Sequence, residues 1–301
     1  MGVALKKSDL PTAPADEARD LLLRLDGIPT LPLVAMKVNE LISSPTSTNL
    51  DIADALRKDQ VLTAKVLKLV NSSYYSIPKG VTDIQKALSF LGFNTVAQLV
   101  LSLSVFSVFT HSESDEFSLT DFWRHALGVA VGAETIARKI RYAKPQEAFT
   151  CGLLHDIGKL ALHQLDNVSF FKILSICAKN KRSFLETEIE EGFPGHAVVG
   201  EVLAQKWGLP KTISDSILHH HDLVSKDDGL PEESRMTVRM VRLANWISLK
   251  NKIGKSGDFS EVKISERALG FLGLKLSDIP ELEAIVLKDM EKAGAFLSAN
   301  G

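Results

Sequence analysis

Apolar residues recur at helical spacing from one end of this 301-residue chain to the other, and Gly or Pro interrupts them at intervals of one short helix. Val34, Val38 and Leu41 share a stripe that Pro45 ends, and Leu62, Val66 and Leu69 share another. Asn49 is the expected N-cap of a helix over 50–58, Asp59 of the next, and Thr82 of a segment that Gly92 closes in a left-handed turn. Asn94 then caps a long apolar helix, and Tyr74 and Tyr75 read as ordinary core. Beyond a polar stretch at 111–120, helices are expected over 121–141, 147–165, 168–180, 183–191, 196–207, 211–221 and 236–250. With no strand–helix alternation and no internal repeat, the chain reads as all-α.

This pattern divides into a polar, proline-containing lead-in over 1–18, an N-terminal helical lobe over 19–110, a second helical lobe over 115–254 and a helical extension over 255–301. Thirty-five basic residues against thirty-seven acidic ones leave a formal charge of −2, which gives no footprint for nucleic acid or an anionic membrane. The apolar run over 96–109 is broken by Gln98, Ser102, Ser104 and Ser107 and reads as a buried core helix. Cys151 and Cys177 lack a CxxC partner and read as reduced core thiols. The expected location is the cytoplasm.

Seven of the eight histidines follow position 120. In CGLLHDIGK, His155 and Asp156 lie among small and apolar residues, where an unpaired carboxylate is costly. Either a hydrogen-bonded polar network or a divalent cation would satisfy them. Imidazole and carboxylate suit Zn, Fe, Mn or Ni, and spacing alone does not choose among them. Adjacent helical residues diverge by about 100°, so both reach one ion only where several helices converge. Lys159, a helical turn after Asp156, can neutralise the carboxylate or meet a phosphate. His111, His163 and His219 read as structural or solvated residues.

GLLHDIGK resembles the hallmark of the HD superfamily of metal-dependent phosphohydrolases. That resemblance implies His125 as the early histidine, His196 as a histidine of a second metal, and His220 and His221 as the pair found in HD-GYP members that cleave cyclic dinucleotides. It also implies a carboxylate role for Asp121. At the place of the final aspartate ligand this chain has Asn245, whose amide can coordinate but brings no charge, and the GYP signature is only echoed over 227–231.

The N-terminal blocks GIPTLPLVAMKVNELI, IADALRKDQVLTAKVLKLVNSSYY and DIQKALSFLGFNTVAQLVLS resemble the HDOD (HD-related output domain) family, over roughly residues 21–225. This resemblance implies an HD-like multi-helix bundle with an N-terminal helical lobe. It further implies a bacterial signalling or regulatory module, with one or two metal ions in its cleft, acting through a signalling protein partner or a nucleotide or other phosphorylated small molecule. The alternative is a metal-dependent phosphohydrolase or cyclic-dinucleotide phosphodiesterase.

Overall fold

Capping residues set where the N-terminal helices begin. A computed structural model describes residues 28, 30–109, 117–222, 227, 229–260 and 264–298, and among them every regular element is helical. Helix α1, Leu33–Ser43, starts after Pro32. Helix α2, Asn49–Leu56, is capped by Thr48 rather than Asn49, because Asp51 completes a capping box: its carboxylate accepts from Thr48 N at 2.8 Å while Thr48 Oγ1 accepts from Asp51 N. Asp59 caps α3, Gln60–Val70, as its position predicts, and Leu62, Val66 and Leu69 are buried.

Helix α4, Ile84–Val108, is capped by Asp83, not Thr82, since Asp83 accepts from Lys86 N at 2.8 Å. Gly92 has the expected positive φ but an extended ψ (82°, 166°), so it kinks the run instead of ending it. By length and composition α4 would pass for a membrane span, yet Thr95 to Phe106 is buried without interruption inside the bundle. Gln98, Ser102 and Ser104 are therefore core residues, and Ser102 Oγ donates to the Gln98 carbonyl one turn back.

The second half is built around α5, Leu119–Lys139, whose cap Ser118 accepts from Asp121 N. Helices α6, Pro145–Leu154, and α12, Glu232–Lys250, pack against it. Small residues set the distance of approach: a Cβ at Gly152 would lie 2.7 Å from the Val129 carbonyl, and one at Gly132 2.9 Å from Ala244 Cβ. Between α6 and α12 run α7 (Ile157–Leu165), α8 (Asn167–Asn180), α9 (Phe184–Glu190), α10 (His196–Lys206) and α11 (Lys211–His219).

Helix α13 (Glu266–Gly270) and α14 (Ile279–Ser298) follow, and α14 lies on α5 with Leu282, Val286 and Ala293 buried. One buried apolar cluster runs from Ile28 to Ala293. Each fully buried Leu, Ile or Val in it contributes about 1.5–3 kcal/mol of transfer free energy.

One expected helix is two. The run 147–165 breaks after Leu154, and His155 and Asp156 occupy the junction. The cause is a close crossing of α7 and α10, where a Cβ on Gly158 would fall 1.8 Å from the His196 carbonyl and one on Gly200 3.0 Å from Gly158 N. The expected helix to 221 also ends early, at His219, which leaves His220 and His221 in the following turn.

Candidate metal centre

Four separate stretches of chain deliver histidines to the α6–α7 junction. His125 comes from mid-α5, His155 and Asp156 from the junction itself, His196 from the first residue of α10, and His220 with His221 from the turn after α11. Asp156 lies at the middle. Its Oδ1 is 3.3 Å from both His196 Nε2 and His220 Nε2, and its Oδ2 is 3.4 Å from His155 Nε2. His221 Nε2 stands 3.1 Å from His196 Nε2. Ligand atoms held about 2.1 Å from an ion at tetrahedral angles are roughly 3.4 Å apart, so these separations fit the edges of a coordination polyhedron.

Two overlapping ligand groups result, both using Asp156: one with His196, His220 and His221, the other with His125 and His155. In each group the candidate atoms lie within 4.8 Å of one another.

Hydrogen bonds on the far side of each ring turn Nε2 inward. His155 Nδ1 donates to the Gly152 carbonyl at 2.7 Å, His220 Nδ1 to that of Ile217 at 2.7 Å, and His125 Nδ1 to that of Ile253 at 3.3 Å. Only N–H can pair with a carbonyl, so these bonds fix the tautomer with an Nε2 lone pair facing the centre. Nε2 of His125, His155 and His220, Oδ1 of Asp156 and Oδ1 of Asn245 are all buried without a hydrogen-bond partner. Unpartnered atoms of this kind are costly in a purely structural network, and a divalent cation beside Asp156 Oδ1 would satisfy that oxygen together with His220 Nε2. The donor set therefore fits a metal.

Glu188 is the functional residue that sequence reasoning missed. It is fully buried in α9, accepts from the His196 backbone N–H at 3.0 Å and pairs with His196 Nδ1 at 2.7 Å. Burial works to lower the His196 pKa, and the Glu188 carboxylate outweighs it, so His196 is held above the ordinary imidazole value. The other rings go the opposite way. Burial pushes His125 down to about 4 and His155, His220 and His221 downward as well. These neutral imidazoles are ready to ligate.

Lys159, buried in α7, places Nζ 2.7 Å from Asp156 Oδ2 and 5.1 Å from the centre of the Phe184 ring. Burial raises the Asp156 pKa, but the Lys159 ammonium and the surrounding imidazoles more than offset it and hold the carboxyl well below the usual range.

The remaining sequence candidates sit elsewhere. Asn245, on α12, lies within reach of His125, but Asp121 pairs with Lys255 at 2.9 Å and belongs to neither ligand group. His219 pairs with Asp222 at 2.8 Å, and His163 packs among Phe117, Phe170 and Phe171. Cys151 and Cys177 are buried free thiols. Asp227 is buried between Arg239 and Arg242, and Arg242 also donates to the His219 carbonyl at 2.9 Å, bracing the turn that carries His220 and His221. His111, the lead-in over 1–18 and Asp228 lie outside the described residues.

Comparison with known proteins places the fold. The HDOD domain family matches residues 28–223, nearly two-thirds of the chain. The chain belongs to the HDOD family. An HDOD domain protein of unknown function from Geobacter sulfurreducens superposes with a TM-score of 0.74 at 26% identity, over 91% of this chain and 97% of that one. A structure from Shewanella amazonensis SB2B, named provisionally a phosphohydrolase, gives 0.72 at 25% identity over 93% and 98%. One from Marinobacter aquaeolei VT8, named provisionally a signal transduction protein, shares the fold with a TM-score of 0.78 at 19% identity, over 97% of this chain and 67% of that one. An uncharacterized protein of Treponema pallidum (strain Nichols) is 27% identical over 81% of this HDOD chain, which spans 46% of that relative's length.

Proposed function

We propose that this HDOD protein is a regulatory module with a single-ion metal centre and no phosphoester turnover. The observation that carries the proposal is the 2.7 Å contact between Lys159 Nζ and Asp156 Oδ2. The ligand group of His125 and His155 would need that oxygen, and the ammonium already holds it. The opposite oxygen, Oδ1, is unpartnered and faces His196 and His220. Asp156, His196, His220 and His221 would therefore hold one ion, with Glu188 orienting His196.

The charges agree. Asp156 and Glu188 together carry two negative charges and Lys159 one positive, so with neutral rings at the other positions one divalent cation takes the buried site from one net negative charge to one net positive charge. A second would leave it strongly positive in a dry interior. A bound Zn, Fe, Mn or Ni ion would supply Lewis acidity. Asn245 adds no carboxylate beside His125, so the second half of a two-ion hydrolytic site is replaced by Lys159.

A signalling role through a protein partner is supported by the HDOD family and by the exposed Leu33, Val61 and Phe90 on the N-terminal helices. The buried free thiols suit a reducing, cytoplasmic compartment. The alternative, a phosphohydrolase, is favoured by the histidine set itself. Metal-loaded protein assayed against phosphomonoesters, nucleotides and cyclic dinucleotides separates the two: no turnover is expected, and sustained turnover that metal removal abolishes overturns the regulatory reading.

A further inference from the structure

A cleft of about 760 Å³ opens beside the metal centre, between the C-terminal end of α12 and the segment 253–260. That volume lies in the range of small-molecule sites. His125 and Ser248 line it, and both carry a buried polar atom, Nε2 and Oγ, with no hydrogen-bond partner. Trp246 lines it too and is half-buried.

Three lysines, Lys250, Lys252 and Lys255, also belong to the lining, against one carboxylate, Asp258. Lys250 pairs with Glu283 and Lys255 with Asp121, whereas Lys252 has no ion pair among the described residues. Asp258 is engaged by its neighbour, since its Oδ1 accepts from Ser260 N at 3.0 Å and from Ser260 Oγ at 2.7 Å.

The wall opposite α12 is fixed in place. Lys255 N donates to the Asp121 carbonyl at 3.0 Å, Phe259 N to that of Arg182 at 3.2 Å, and the Ile253 carbonyl accepts from His125 Nδ1. Gly254, at φ 62°, lets this wall close on α5, because a Cβ there would sit 2.3 Å from the Asp121 carbonyl. The wall thus bonds directly to a ring of the metal centre.

We propose that this cleft is the binding site for a small phosphorylated ligand with a flat aromatic ring, the chemistry of a nucleoside monophosphate. The phosphate meets Lys252, with Lys255 beside it on its Asp121 partner, the ring lies against Trp246 near the Lys250 ammonium, and Ser248 Oγ offers a polar contact at the floor. The site goes beyond the regulatory reading and needs no bound metal.

The test titrates adenosine and guanosine 5′-monophosphate into the full chain by calorimetry, with and without chelator. Saturable binding is expected in both conditions. Lys252→Asn with Lys255→Gln removes two exposed cations, and Asn tolerates the positive φ of 53° at position 252. Binding should weaken about tenfold or more in that variant, and Lys37→Gln, on α1, should leave it unchanged. Trp246→Phe should weaken nucleotide binding while leaving weak inorganic phosphate binding intact. The proposal is overturned by absence of saturable binding, by equal binding of unphosphorylated adenosine, or by affinity that the double variant leaves intact. Metal content measured on the same samples keeps the two readings apart: a metal-free protein that binds nucleotide contradicts only the metal centre, and a metal-loaded one that does not bind contradicts only the cleft.

Discussion

Lys159 and Asp156 form a buried ion pair, Nζ to Oδ2 at 2.7 Å, in which the chain's own ammonium stands beside the carboxylate at the middle of a histidine cluster. A buried pair of this kind is strongly destabilising to break by removing one partner, on the order of 3–5 kcal/mol. Lys159→Met should therefore lower the stability of metal-free protein by about that amount in chemical denaturation. The same change frees Oδ2, so metal stoichiometry by elemental analysis should rise from about one towards about two equivalents. Unchanged stoichiometry with unchanged stability would show that the ammonium does not compete with a cation.

Asn245→Asp adds a carboxylate beside His125 without changing side-chain size. Because Lys159 holds Asp156 Oδ2 on the His125 side, metal stoichiometry by elemental analysis should stay at about one equivalent. A rise towards two would place a second ion beside His125 and contradict the single-ion centre.

Gly158 sits where α7 crosses α10. Gly158→Ala forces a Cβ to within 1.8 Å of a backbone carbonyl, which no rotamer relieves. The expected cost is about 3 kcal/mol or more, with loss of metal because His196 must shift. Gly294→Ala, in α14, meets nothing within 4 Å and should be neutral or stabilising by up to about 1 kcal/mol. Matched denaturation midpoints for the two variants would contradict the close crossing.

Acid should destabilise the metal-free protein. His125 is pushed down to about 4 by burial, against an ordinary value of 6.5. Between those values the unfolded chain binds the proton that the folded chain refuses, so stability rises with pH through the window and is complete above 6.5. His125 alone contributes about 3 kcal/mol across it. His155 and His221, lowered further by burial, act in the same sense. His196 opposes them: its raised value gives stability present below 6.5 and lost as pH rises through the folded value. Denaturation at pH 7.5 and pH 5 should show the net loss on the acid side, and equal stability at both would contradict neutral buried rings.

The helical class and the identity of the clustered histidines were legible in the sequence, because 3.6-residue periodicity and an imidazole–carboxylate dyad are local signals. The break at His155–Asp156 was not. Leu153, Leu154, Ile157 and Leu160 keep the helical stripe running through it, and the crossing at the His196 carbonyl that ends α6 is a tertiary contact. Glu188 was hidden for a similar reason. It stands in the acidic run ETEIEE, and only its burial against His196 sets it apart from the carboxylates beside it. Asp121, one turn before His125, matches a ligand pattern in the sequence, and in the structure its side chain pairs with Lys255. Thr48 displaced Asn49 as a cap because the reciprocal bond from Asp51 reaches Thr48.

The most direct measurement is the metal content of the 301-residue chain, purified without chelator and without an immobilised-metal column, compared with the Asp156→Asn/Lys159→Met double variant that removes both central charges together. About one equivalent of Zn, Fe, Mn or Ni in the wild type, lost in the double variant, is the predicted result. A wild-type protein that carries no metal, carries two equivalents, or keeps its ion after Asp156 is neutralised would contradict the single-ion centre.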